Sequence, residues 1–405
     1  FMKKNWLKFI SFCVIAMLVF TWFNKAMEIP SQNWLDFYDL PQDSLDVVFI
    51  GNSHGLKGFQ PNILSDLMPV SSYMVGVPGE NVFISYYELR EILKTQKPKI
   101  LILETFTLNL TEPVGKALIF PSTDAGSWSM NKLAVMRRFL SYDLFYSSIP
   151  SLRTRVDWNH PADFFAKIAT AIKVKETRST SRFLGAAPDP EPLSAAEFAE
   201  IATLPDVTST RSPLENRLYL DKIVELCEKN NIKLILVSTP VLKITGPFFS
   251  YYTPFDVASY ARENGVELVT FDSSELNKMH YVDADHLSIF GSLIVTLDLA
   301  REISQNLGVQ IDPERMNYYE GILFSDFSME CHKQTCTLSL EPEDPAADLR
   351  YKFVLMDQRY QALYATDFQK ENKFSFVISD EKIHVQVNIL QPDGEYEVTA
   401  YFNNY

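Results

Sequence analysis

Asp46-Val47-Val48-Phe49-Ile50-Gly51-Asn52-Ser53-His54 is the segment from which the architecture of this chain can be inferred most directly. Its four consecutive apolar residues predict a strand that is buried on both faces, as in a parallel sheet. The glycine after the strand leaves room for a tight turn, which would place Ser53 just beyond the carboxyl end of the strand. A serine on such a turn can be reached by a distant base, so the stretch also supplies a candidate nucleophile.

A second polar segment, Asp283-Ala284-Asp285-His286, lies far along the chain, ahead of a helical pattern over 287–303. A carboxylate three residues before an imidazole can bind one ring nitrogen and leave the other facing a serine. We therefore expect Asp283 to orient His286, and His286 to act as base and then as acid toward Ser53. The alternative is that Ser53 is a turn or capping residue and that Asp283 or Asp285 caps the following helix.

Together, the two segments resemble those of the SGNH/GDSL hydrolases and acyltransferases, in which the nucleophilic serine follows the first strand and Asp-x-x-His lies near the end of the domain. The resemblance covers about 46–307 and implies a flavodoxin-like three-layer α/β fold. It also implies an oxyanion hole formed by the N–H groups of Ser53 and Gly79. Asn52, where many members have Asp, and His54 are expected to line the cleft.

The third block of the family pattern differs here. After the apolar run 100–103 the chain continues Glu104-Thr105-Phe106-Thr107-Leu108-Asn109, without Gly-x-Asn-Asp. Asn109 is the candidate for the missing oxyanion donor. The loss of one such donor commonly costs about a hundredfold or more in rate, so this block bears directly on activity.

Further apolar runs predict four more strands, at 72–75, 100–103, 233–238 and 267–271. Because crossovers between parallel strands are right-handed, the carboxyl ends of these strands share one edge, where a cleft can contain the predicted site residues. An insertion over 110–212 interrupts the pattern and is longer than ordinary connections. Its helical patterns, at 131–140, 161–175 and 195–201, are expected to cover the cleft and influence substrate choice.

The N-terminal segment 1–30 predicts a transmembrane anchor. Met2-Lys3-Lys4 precedes an apolar run over 9–23, which places the N-terminus in the cytoplasm and the catalytic domain outside the cell membrane. The competing interpretation is a cleavable signal peptide with a site near Ala26.

Residues 31–324 form the predicted α/β domain, and 325–405 show short alternating runs separated by turns, which predict a β-sandwich. This last pattern resembles the immunoglobulin-like modules of bacterial extracellular glycan-handling proteins. Cys331 and Cys336 are expected to form a disulfide in an oxidising compartment. Zinc is the alternative, but a fourth ligand at suitable spacing is missing from the sequence.

Charge excludes one class of partner. The formal net charge is −14, from 37 Lys and Arg against 51 Asp and Glu, and no basic stripe is present, which argues against nucleic acid as a partner.

The favoured function is an extracytoplasmic serine esterase or O-acyltransferase, with O-acetyl transfer to a bacterial cell-surface glycan. The resemblance implies a multi-pass membrane acyltransferase as partner, and no cofactor or metal is expected. The alternatives are a membrane-tethered lipase or thioesterase and a non-catalytic glycan-binding assembly protein.

Overall fold

The computed structural model describes residues 2–26, 28, 30–114, 119–125, 129–139, 183–204, 214–244, 252–332, 335–343, 348–356, 361–377, 384–390 and 397–403. Much of the predicted insertion, including the helical pattern at 161–175, lies outside these ranges.

A five-stranded parallel sheet forms the centre of the first part of the chain, as the sequence predicts. Its strands are β1 (Val47–Ile50), β2 (Ser72–Val75), β3 (Ile100–Glu104), β4 (Lys233–Ser238) and β5 (Glu267–Thr270), in the order β2-β1-β3-β4-β5. This is the strand order of flavodoxin-like sheets, in which ligands bind beyond the carboxyl ends of the strands near the point where the order reverses. β1, at that point, is the strand that precedes Ser53.

Helices occur before, between and after the strands of this sheet. They are α1 (Met2–Ala26), α2 (Gln32–Tyr38), α3 (Ser53–Gly58), α4 (Pro61–Leu67), α5 (Val82–Ile92), α6 (Phe120–Ala125), α7 (Met130–Phe139), α8 (Ala195–Thr203), α9 (Leu214–Lys229), α10 (Val257–Asn264), α11 (Ile289–Leu307) and α12 (Pro313–Glu320). Successive strand residues point to opposite faces. Accordingly, Phe49 belongs to a core shared with α3, α4 and α11, while Val48 belongs to another shared with α2, α5, α9 and α10.

Two antiparallel sheets follow, with orders β10-β7-β6 and β12-β11-β8-β9. Their strands are β6 (Phe324–His332), β7 (Thr335–Pro342), β8 (Arg350–Met356), β9 (Ala362–Ala365), β10 (Lys373–Val377), β11 (His384–Leu390) and β12 (Glu397–Asn403). Ring contacts join the sheets: Phe353 lies 5.1 Å from Phe374, and Phe327 lies 4.7 Å from Phe402. The sheets therefore pack face to face, while the immunoglobulin-like assignment stays a prediction.

The junction near residue 324 is a continuous hydrophobic core. Phe290 of α11 contacts Phe324 of β6 with ring centroids 5.6 Å apart, and one cluster of buried residues extends from the first sheet into both antiparallel sheets. The Lys278 side chain also donates to the carbonyl of Phe327 at 2.6 Å. The boundary between 324 and 325 stays a prediction, and it crosses a packed interface.

Two features outside these sheets bear on the predicted export. α1 contains an 18-residue stretch, Lys8–Lys25, with mean hydropathy 1.4, which is long and apolar enough to cross a membrane. Cys331 and Cys336 face each other across the β6–β7 hairpin and form a disulfide, in agreement with the preferred interpretation.

Candidate active site

The nucleophile turn forms where β1 ends. Ser53 is the first residue of α3, and Asn52 is the N-cap, its side-chain oxygen accepting the His54 N–H at 2.9 Å. The capping role proposed as an alternative for Ser53 therefore belongs to Asn52. A Cβ on Gly51 would lie 2.7 Å from that of Glu104, so only glycine fits where the turn crosses β3.

The base loop, residues 281–287, is closed by a bridge between Tyr281 and Leu287. An Asp283 carboxylate oxygen accepts the N–H groups of Asp285 and His286 at 3.0 and 2.8 Å, which folds the loop around its own carboxylate. α11 begins only at Ile289, and Ser288 caps it. The alternative in which Asp283 or Asp285 caps a helix at Leu287 is therefore wrong, because both precede the actual cap and face the loop.

Ser53, His286 and Asp283 meet in one hydrogen-bonded line. His286 Nε2 lies 2.7 Å from Ser53 Oγ, and His286 Nδ1 lies 2.9 Å from Asp283 Oδ2. With the ring proton on Nδ1, the Nε2 lone pair faces the serine hydroxyl. Burial disfavours the imidazolium, but the hydrogen bonds with the two aspartates outweigh it and raise the pKa of His286 to about 9.

The sequence predicts that Asn52 and His54 line the cleft. In the structure both are buried: Asn52 is 1% exposed and His54 is 3% exposed. Each makes contacts within the protein instead. The Asn52 side-chain nitrogen donates to the carbonyl of Glu80 at 3.4 Å, and His54 stacks on Phe106 with ring centroids 3.6 Å apart. Both residues therefore support the site from beneath, a role that sequence spacing does not reveal.

The glycine loop, residues 76–81, carries the second predicted oxyanion donor. Gly79 has a positive φ of 71°, and its carbonyl accepts the N–H of Val114 at 3.0 Å. Gly76 has a φ of 146°, and a Cβ there would lie 1.9 Å from the carbonyl oxygen of Gly51. The loop thus packs directly on the nucleophile turn, and the Asn52–Glu80 hydrogen bond joins the two segments.

The glycine loop contains one member of a pair of buried carboxyl groups, Glu80, and the other member, Glu88, lies on α5. Glu80 is fully buried and accepts the Val77 N–H at 2.9 Å and the Ser85 hydroxyl at 2.7 Å, while Glu88 accepts the Trp34 indole N–H at 3.2 Å. Burial raises the pKa of Glu80 well above its ordinary value, and it raises the pKa of Glu88 to about 7. The pair fixes the loop through backbone and side-chain donors.

The segment 104–109, at the end of β3, is held by hydrogen bonds within the protein. Glu104 is buried and accepts the Phe106 N–H and the Thr239 hydroxyl, each at 3.0 Å, and burial raises its pKa to about 7. Asn109 uses its carbonyl and its side-chain oxygen to bind the N–H groups of Thr253 and Phe255. Those contacts give Asn109 a structural role, and its part as an oxyanion donor stays a prediction.

Residues 183–193, here called the strap, link β2, α3 and the base loop. The sequence analysis does not predict this role. Its backbone binds β2 through Leu184, α3 through Ala187 and the base loop through Leu193. Asp189 forms an ion pair with Lys57 at 2.9 Å. Gly185, at φ 89°, would place a Cβ 2.0 Å from the Met74 carbonyl, and this glycine is the only local sequence signal of the close approach.

Within the described ranges, one group of side chains near Ser53 has metal-ligand chemistry. Ligand atoms of His54, Asp285 and His286 lie within 4.8 Å of one another. His286 Nδ1 is the nitrogen that faces Asp285, and it already contacts both Asp283 and Asp285, so a cation there would compete with those contacts. We assign no metal to this group.

No family model matches the chain, and no curated protein matches it. Among solved structures, a candidate acylhydrolase from Bacteroides fragilis aligns over 70% of this chain and 92% of its own, with 15% identity and a TM-score of 0.32. Domains d3–d4 of rat CD45 align over 20% and 47%, with 11% identity and a TM-score of 0.16. The capsular polysaccharide assembling protein CapF from Staphylococcus aureus aligns over 88% and 100%, with 10% identity and a TM-score of 0.16. At these TM-scores the likenesses do not bear on the function of this chain.

Proposed function

We propose that this protein is a serine esterase or O-acyltransferase of the SGNH type. The observation that supports this most strongly is the line from Asp283 through His286 to Ser53, with distances of 2.9 and 2.7 Å. Its three members come from the ends of the sequence range that resembles the family. A hydroxyl, a base and an orienting carboxylate in this order are what nucleophilic acyl chemistry requires.

In the first step, Ser53 Oγ attacks the carbonyl carbon of an ester while His286 Nε2 takes the hydroxyl proton. The tetrahedral oxyanion is stabilised by the N–H groups of Ser53 and Gly79. Its collapse expels the alcohol, which receives the proton from His286, and leaves an acyl group on Ser53. Water or an acceptor hydroxyl then attacks that acyl group by the same steps in reverse.

The acceptor we propose is a bacterial cell-surface glycan, with O-acetyl transfer as the reaction and a multi-pass membrane acyltransferase as the source of acyl groups. This part rests on the resemblance in sequence and on α1. We place α1 across the cell membrane with its N-terminus inside, because Lys3 and Lys4 precede its apolar stretch. The site then lies outside the cytoplasm, where surface glycans are found.

The test uses the full chain in detergent, a fluorophosphonate probe and a chromogenic acetyl ester. We expect wild-type protein to be labelled and Ser53→Ala to be unlabelled and inactive. Ser238→Ala is the matched control, because Ser238 ends β4 at the same sheet edge but hydrogen-bonds Thr105 rather than a histidine. Equal labelling of wild type and Ser53→Ala would eliminate Ser53 as nucleophile.

Transfer and hydrolysis are separated by the acceptor. Protein acetylated at Ser53 with the chromogenic ester is mixed with deacetylated surface glycan, and the products are identified by mass spectrometry. Acetyl groups on the glycan support transfer, whereas free acetate as the sole product supports an esterase. Ser53→Ala serves as the blank for both outcomes.

A further inference from the structure

The base His286 is held by two carboxylates rather than one. Asp283 Oδ2 lies 2.9 Å from His286 Nδ1, and Asp285 Oδ1 lies 3.4 Å from the same nitrogen. The two differ in exposure: the Asp283 side chain is 46% exposed and that of Asp285 only 14%. The shorter contact thus belongs to the carboxylate that water reaches more easily.

Asp285 is itself held by a second imidazole. Its other oxygen lies 3.3 Å from His54 Nε2, and the His54 side chain is 2% exposed. Desolvation disfavours the charged carboxylate, but hydrogen bonds with His286 and His54 outweigh it and keep the pKa of Asp285 well below its ordinary value. Asp285 is therefore a charged group with one oxygen toward each imidazole.

His54 is suited to hold that carboxylate while remaining neutral. Burial lowers the pKa of His54 and outweighs the opposing effect of the Asp285 carboxylate, and the nearby His286 imidazole lowers that pKa further. A neutral ring that donates from Nε2 leaves Nδ1 as a bare acceptor, and Nδ1 has no hydrogen-bond partner among the described residues. The stack on Phe106 fixes the ring plane, and the ring centroid lies 4.7 Å from that of His286.

We propose that Asp285 and His54 form a positioning pair for His286, with Asp285 acting as a second orienting carboxylate. The inference rests on the proposed function, because it assigns the pair to the base of that reaction. When His286 takes the proton of Ser53, its positive charge is shared between Asp283 and Asp285. His54 holds the other oxygen of Asp285, which fixes the carboxylate in place, and adds no charge of its own.

Three carboxylate variants test this: Asp283→Asn, Asp285→Asn and the double variant, each as the full chain in detergent. Loss of a single orienting carboxylate is known to cost about 10⁴-fold in kcat. Here we expect Asp283→Asn to lose less than that, because Asp285 remains, and the double variant to fall to the level of Ser53→Ala. Asp298→Asn, an exposed carboxylate on α11, is the matched control and should match wild type. If Asp283→Asn alone is as inactive as the double variant, the proposal is wrong.

The pH profile separates positioning from folding. The charged and titratable groups facing His286 are Asp283, Asp285, His54 and the more distant Glu104. Because an aspartate favours the imidazolium, Asp285→Asn should lower the pKa of His286 and shift the acid limb of kcat/KM toward lower pH. NMR of protein with ¹⁵N-labelled histidine reads the same pKa without substrate, and the chain has six histidines to assign. An unchanged His286 titration in folded Asp285→Asn would overturn the assignment.

The contribution of His54 is tested by a pair of substitutions. His54→Gln retains a donor near the position of Nε2, whereas His54→Phe retains the stacked ring and loses the donor. We expect His54→Gln to stay closer to wild type in kcat, and His54→Phe to lose about a hundredfold, as misplacement of a reacting group by about 1 Å does. The opposite ranking would show that the stack on Phe106, and not the hydrogen bond, is what matters. If the wild type is not labelled by the fluorophosphonate, the proposed function fails, while the NMR titration still reports on the pair.

Discussion

Gly76→Ala tests whether the glycine loop must lie as close to the nucleophile turn as the structure places it. The added Cβ would lie 1.9 Å from the Gly51 carbonyl oxygen, and contacts below 3.0 Å are essentially never seen. The two segments must therefore separate by more than 1 Å. The positive φ adds about 1–3 kcal/mol of strain. Because Gly51 leads to Ser53 and the same loop carries Gly79, the two oxyanion donors would move apart.

We expect kcat for a chromogenic acetyl ester to fall about a hundredfold, as a 1 Å misplacement does, with KM little changed. Gly308→Ala is the control: Gly308 has φ 63° and open space around its Cβ position. That variant should lose about 1–2 kcal/mol of stability and retain its kcat. Thermal unfolding followed by circular dichroism measures the stability of both. A folded Gly76→Ala protein with wild-type kcat would refute the proposed placement of the donors.

Three other predictions concern residues around the site. Asn52→Asp keeps the cap on α3 but loses the donor to Glu80, so kcat should fall while the melting temperature changes little; an unchanged kcat would show that this hydrogen bond is dispensable. The free energy of unfolding should decrease as pH rises from about 4.5 to about 7. The reason is that Glu104 has a pKa of about 4.5 in the unfolded chain and about 7 when buried, so ionisation favours the unfolded state over this range. In denaturant titrations at several pH values, Glu104→Gln should make the free energy of unfolding depend less on pH. Removal of residues 325–405 should lower the melting temperature by exposing Phe324, whose ring centroid lies 6.4 Å from that of Tyr351, while small-ester turnover at low temperature is retained. Loss of turnover in a folded, monomeric shortened chain would place the antiparallel sheets within the active site.

The central sheet could be predicted because its signals are local. The run 47–50 is apolar at every position and is buried at every position, and the same holds for 100–103. The serine and Asp-x-x-His segments could be joined because strand carboxyl ends share one edge in such a sheet. The distance of 2.7 Å between Ser53 Oγ and His286 Nε2 agrees with the expectation that the two segments lie close together at that edge.

Other features have no local signal. Asp285 is distinguished from Asp283 by its deeper burial and by its contact with His54, a residue far away in the chain. β9 is exposed at all four positions and lacks the alternation that marks a strand with one buried face. The sequence pattern predicts the start of α11 two residues too early, because Leu287 and Ile289 are both apolar and only the hydrogen bonds of Ser288 identify the cap.

The strap contacts segments that lie far apart in the sequence. Besides its bonds to α3 and the base loop, its Pro190 carbonyl accepts the N–H of Tyr401 on the last strand, at 2.9 Å. In the proposed topology the chain after α1 crosses the membrane in sequence order, so Ser53 crosses before His286, and both cross before Tyr401. The line from Ser53 to Asp283 could therefore form before the antiparallel sheets arrive, and the contact between Pro190 and Tyr401 would form afterwards. Those sheets would then brace a site that is already assembled outside the cytoplasm.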